Sequence, residues 1–171
     1  EIDKDLILEK IIQNNNDYSR TLYQLKNNKE DEKYLQFIDW VRLCFLSTNK
    51  KSHIKIQTEQ KPKLGIESLI NWCNNIASID RESQIEFILA ACNIFRETFL
   101  LNYNYTNLSY SNKPEYNFSL KNFSNYVHNN NIFDIFHLLN NAHYCLNRYA
   151  NSKILFLDLS FSLGRVLHKI D

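Results

Sequence analysis

At 171 residues, with 44% hydrophobic and 13% aromatic content, the chain can bury a core of its own, which excludes a purely disordered segment. A formal net charge of +1 excludes recruitment to nucleic acid or to a membrane surface by bulk charge, so any basic surface is local. Two Gly and two Pro leave few of the turn signals that short strands need, and this favours helices.

In chain order, residues 1–28 carry two short apolar patterns, Leu6 to Ile12 and Tyr18 to Leu25, separated by N-N-N-D. They read as a helix pair that belongs partly to something else. The charged run N-N-K-E-D-E-K follows, and residues 29–33 within it read as a linker to a domain over 34–171. A chain that starts at Glu1 and contains no Met is expected to be a fragment of a longer one.

The domain opens with Tyr34, Phe37, Ile38, Val41, Cys44 and Phe45, a helical stripe at i, i+3, i+4, i+7, i+10 and i+11. Ile66, Leu69, Ile70, Cys73, Ile76 and Ala77 repeat the template, although no sequence repeat of solenoid type accompanies it. Trp40 and Trp72 lie beside these stripes, and each is either a flank of the core or an exposed anchor for a partner. The segment between the two helices, residues 47–63, is Lys-rich, lacks a period and contains Pro62, so it reads as a long exposed loop.

Asp80 is placed to cap a third helix that runs to about Leu101, with Glu82 in the first turn to complement the helix dipole. Its apolar stripe is wide, which makes it the candidate central helix. Residues 102–119 are rich in Asn, Ser and Tyr and read as a second long loop. A short helix over about 120–127, the N-N-N turn at 129–131, and an amphipathic helix from Ile132 to Tyr149 follow. The last helix begins after Asn151.

That last helix holds the run Y-A-N-S-K-I-L-F-L-D-L-S-F-S-L-G-R-V-L from Tyr149 to Leu167, apolar around most of its circumference. Its apolar part is broken by Asp158 and Arg165 and falls short of the roughly 20 residues a membrane span needs. A helix of this kind must be covered on more than one side, either by its own domain or by another subunit. Asp158 is then a polar marker on that helix or a surface carboxylate paired with a nearby base, since the sequence offers it no catalytic partner.

Phosphate-cradling glycine loops, zinc-protease and hydrolase motifs are all missing from the sequence. His137 and His143, six residues apart, point to different faces of a helix, and Asp134 with His137 reads as a solvated face rather than a metal site. Cys44, Cys73, Cys92 and Cys145 are dispersed within apolar patterns and read as small core residues. With the acidic start E-I-D-K-D in place of a secretory leader, they predict a reducing cytoplasm.

Three stretches together resemble a known family. W-V-R-L-C-F (40–45), R-E-T-F-L-L-N-Y (96–103) and R-Y-A-N-S-K-I-L-F-L-D-L-S (148–160) are similar to the C-terminal region of bacterial DNA polymerase III delta-prime subunits, of the Bacteroidetes type. The resemblance covers residues 34–103 and 128–170 and lies in the order and spacing of the motifs. It implies an all-α helical bundle of about five helices, the collar domain of the clamp loader that places a sliding clamp on DNA. Residues 1–28 would be a remnant of the AAA+ lid, with Arg20 near the position of that lid's sensor arginine.

The resemblance further implies no catalysis and no cofactor in this segment, with gamma/tau and delta type subunits as partners and DNA reached only through the complex. Arg148, Asn151, Lys153, Asp158, Arg165, Trp40 and Trp72 are the candidate subunit-interface residues. Two positions depart from the family: Ser152 stands where proline is usual, and the 47–63 loop is longer. The alternatives are the C-terminal domain of a delta subunit, or an independent nucleic-acid-binding module using the Lys50–Lys63 loop.

Overall fold

The helices form where the apolar stripes predict them, and their caps are local and legible. In the computed structural model, which describes residues 29–48, 62–103 and 118–169, α1 spans Lys29–Thr48, α2 Pro62–Ser78 and α3 Arg81–Asn102. A short α4, Leu120–Phe123, runs into a 3₁₀ turn at Ser124–Tyr126, and α5 (Ile132–Asn147) and α6 (Ser152–Leu167) complete an all-α bundle. No strand occurs among the described residues. Asp80 accepts the Ser83 amide at 2.8 Å at the start of α3, and Asn151 accepts the Ile154 amide at 3.2 Å at the start of α6.

The linker expected at 29–33 is instead the first part of α1. The backbone is helical from Lys29 on, so the hydrophilic composition of this run does not interrupt the helix. Lys33 ties this turn to the bundle through an ion pair with Glu86 on α3. The helix pair expected over 1–28, Arg20 within it, and most of the two long loops lie outside the described residues. The described edges of the first loop are helical, since Ser47 and Thr48 belong to α1, and Pro62 and Lys63 to α2.

Packing is layered around the seam between α1 and α6. α6 lies against α1, α2 and α5, while α3 packs on α1, α5 and the α4 turn. The central position expected for α3 is therefore shared: α3 is covered on several sides, but the most extensive contact is α1 with α6. Phe156, Leu159, Leu163 and Leu167 of α6 are buried together with Phe37, Val41 and Cys44 of α1. Most of the apolar surface of α6 is thus covered by its own domain. No helix among the described residues is long and apolar enough to cross a membrane.

The core is rich in aromatic rings arranged edge to face or offset. Phe37 meets Phe95 at 5.2 Å and 80°, and Trp40 stacks on Trp72 at 5.8 Å and 16°. The buried indole of Trp40 donates to Ser160 Oγ at 2.8 Å, and Ser160 in turn donates to the Phe156 carbonyl at 2.5 Å. A polar group in the centre of the bundle is therefore satisfied from both sides. Gly164 lets α6 approach α1 closely, because a Cβ there would stand 2.5 Å from the Cys44 carbonyl oxygen.

The N-N-N turn before α5 is held by the last of its asparagines. Asn131 is fully buried; its Oδ1 accepts the His128 amide at 2.9 Å and its Nδ2 donates to the Tyr126 carbonyl at 2.9 Å. The His128 ring reaches the Lys169 carbonyl at 3.1 Å, which ties this turn to the end of α6. His168, just past that end, lies against the Phe45 ring and bonds the Phe45 carbonyl at 3.1 Å, fastening α6 to the last turn of α1.

Candidate subunit interface

The residues offered to a partner divide into buried and displayed groups. Trp40 is 0% exposed and belongs to the core. It sits beside the predicted stripe, yet α1 is covered by three helices, so a position off the stripe is buried as well. Trp72 is half-buried, stacked on Trp40 and in edge contact with Phe156. Arg148, Asn151, Lys153, Asp158 and Arg165 are all exposed.

Of these, Asn151 is used as the cap of α6, and Arg165 folds back on its own helix, to the Phe161 carbonyl at 3.3 Å and Ser162 Oγ at 3.2 Å. Asp158 and Lys153 make no hydrogen bond or ion pair with the described residues. Among the described residues no base pairs with Asp158.

The turn from α5 to α6 gathers the most displayed side chains. The backbone closes α5 with the Ala150 amide on the Cys145 carbonyl at 3.1 Å and the Tyr149 amide on the Leu146 carbonyl at 3.0 Å. That pattern requires a left-handed residue after the helix, and Tyr149 supplies it with φ 61°. Glycine or asparagine is usual there, and a tyrosine in this conformation costs on the order of 1 kcal/mol. The Tyr149 ring is 83% exposed, so core packing does not compensate.

Two residues of α3 hold this turn in place from below. Arg81 donates to the Leu146 carbonyl at 2.9 Å and to the Ala150 carbonyl at 3.2 Å, and its guanidinium lies 5.2 Å from the centre of the Tyr149 ring. Gln84, buried, donates to the Ile79 carbonyl at 2.8 Å and accepts the Ser152 hydroxyl at 2.6 Å. Ser152, the first residue of α6, thus makes a tertiary hydrogen bond that a proline at this position could not. Sequence reasoning missed Arg81, Gln84, Tyr149 and Ile154. The one local signal was that residues 147–151 must end a helix with no glycine among them.

Around this braced turn stand Tyr144, 54% exposed, and Ile154, 67% exposed. Arg148 lies over the Tyr144 ring at 4.6 Å. Aromatic side chains and arginine, displayed on a rigid support, are the residue types that anchor protein interfaces.

Between α5 and α6 lies an open groove of about 280 Å³ lined by Asp134, His137, Leu138, Ser162, Arg165 and Val166. Asp134 there is paired with Lys169, rather than aligned with His137 for a metal. No group of three or more His, Cys, Asp or Glu residues able to hold a metal ion occurs among the described residues. Burial pushes the Cys44 thiol well up, raises that of Cys73, and pushes that of Cys92 up to about 11, so these sulfurs stay protonated and poorly nucleophilic.

Compared with known protein families, curated proteins and solved structures, the chain matches none.

Proposed function

We propose that this chain is a non-catalytic assembly domain of a bacterial DNA polymerase III clamp loader, of the delta-prime type. It joins gamma/tau and delta type subunits in the collar and meets DNA only through the complex, in the cytoplasm. The family motifs quoted above name the complex. The observation that carries an assembly role is the braced α5–α6 turn, which displays Tyr144, Arg148, Tyr149 and Ile154 where the core has no use for them. The all-α bundle is compatible with a collar domain.

Deleting α6 would be a poor test, because Phe156, Leu159, Leu163 and Leu167 belong to the core and their loss would unfold the bundle. The better test is the double variant Arg148→Glu, Ile154→Asp in the full-length protein, mixed with purified gamma/tau and delta type subunits. The wild type is expected to co-elute with them in size-exclusion chromatography. The variant, folded by circular dichroism, is expected to elute alone. Co-elution of both would remove the turn from the interface, and failure of the wild type would refute the assembly role.

A further inference from the structure

We propose that Tyr149 is the anchor of the subunit contact, held in its binding orientation by Arg81, and that it seats in an apolar cleft rimmed by carboxylates on the neighbouring clamp-loader subunit. The inference rests on the assembly reading above and adds which side chain leads and what chemistry receives it.

Three observations meet at this residue. Its left-handed backbone is one that glycine and asparagine adopt most readily, and asparagines stand nearby at 147 and 151, yet a large ring occupies the position. The residue is 83% exposed, so burial in the described core does not account for the size of its ring. The guanidinium beneath it is itself fixed by two backbone carbonyls, so the ring rests on a support that is already ordered. A side chain ordered before the encounter loses less conformational freedom on binding.

The surroundings indicate the partner's chemistry. Residues 135–157 include Arg148 and Lys153 and no Asp or Glu. Neither cation has an ion pair with the described residues, although Glu82 is exposed in the first turn of α3. Asp80 serves as the α3 cap, and the next acidic residue along α6 is Asp158. Two cations that lack an ion pair among the described residues, Arg148 over the Tyr144 ring and Lys153 next to Ile154, therefore fit an apolar cleft whose edge carries carboxylates.

The test uses full-length protein, purified gamma/tau and delta type subunits, and two readouts: affinity by fluorescence anisotropy and the thermal midpoint by circular dichroism. Tyr149→Gly is expected to weaken assembly at least about tenfold while leaving the midpoint unchanged or raised, because glycine suits the left-handed position. Arg148→Glu with Lys153→Glu is expected to weaken assembly as well and to flatten its dependence on salt. If the wild type assembles and Tyr149→Gly assembles equally well, the anchor is wrong and the assembly reading stands. A wild type that does not assemble overturns both. A fall in both affinity and midpoint makes the ring a structural element and overturns the anchor. So does an oligothymidine that the wild type binds and Tyr149→Gly releases, because the ring would then stack on bases.

Discussion

Gly164→Ala isolates the contact on which the bundle turns. A methyl group at this position would stand 2.5 Å from the Cys44 carbonyl oxygen and 2.6 Å from Thr48 Cγ2, and it would also strike Thr48 Oγ1. Thr48 cannot swing aside freely, because its hydroxyl is bonded to the same Cys44 carbonyl at 2.9 Å. Ordinary contact begins near 3.5 Å, so α6 would have to lift from α1 by about 1 Å. Overpacking of this kind costs about 1–3 kcal/mol, and an obstructing backbone atom places it in the upper half. Alanine returns about 1 kcal/mol of helix propensity, which leaves a net loss of about 1–2 kcal/mol. In thermal unfolding followed by circular dichroism, that lowers the midpoint by about 2–8 °C. Gly65→Ala is the internal control, since the nearest atom to its Cβ is Leu46 Cβ at 3.9 Å, and it is expected to raise the midpoint. A Gly164→Ala variant as stable as Gly65→Ala would refute the close crossing of α1 and α6.

Three further outcomes follow from the same packing. Asn131→Ala leaves the His128 amide and the Tyr126 carbonyl without their partner in the interior and is expected to lose about 2–4 kcal/mol in urea titration, whereas Asn129→Ala on the exposed part of the same N-N-N run stays within about 0.5 kcal/mol. Equal effects would contradict the buried knot. At pH 8 a disulfide reagent is expected to label Cys145 first, Cys92 slowly, and Cys44 and Cys73 only as the chain unfolds. Because the folded thiols titrate above their ordinary value near 9.0, the unfolded chain loses protons first as pH rises. Stability is therefore full below about pH 9 and falls above it; a midpoint that rose from pH 8.5 to 10 would contradict the sign.

The fold was legible because each long helix writes its buried face as a local period, and because Asp80 and Asn151 are caps readable from sequence. Residues 29–33 are helical, and a charged run does not by itself tell an irregular linker from a helix. Trp40 was undecided for a different reason. Local periodicity identifies one buried face, but the cover of α1 by three helices is a property of the assembled bundle. The candidate interface was legible only in part. Arg148, Asn151 and Lys153 lie in the motif that drew notice, but Arg81 reaches the α5–α6 turn across 65 residues and Gln84 across 68, and no local pattern encodes such pairs. Tyr149 could be noticed only by asking which residue takes the left-handed turn in a segment without glycine.

The central claim, that this domain exists to be built into a clamp loader, is tested most directly by co-expressing the full-length protein with gamma/tau and delta type subunits and determining the composition of the purified complex by native mass spectrometry. The purified complex is expected to contain this chain together with both types of partner, and to lose it when Tyr149→Gly is combined with Arg148→Glu. A complete complex that assembles without this chain, while the folded protein remains alone, would contradict that claim.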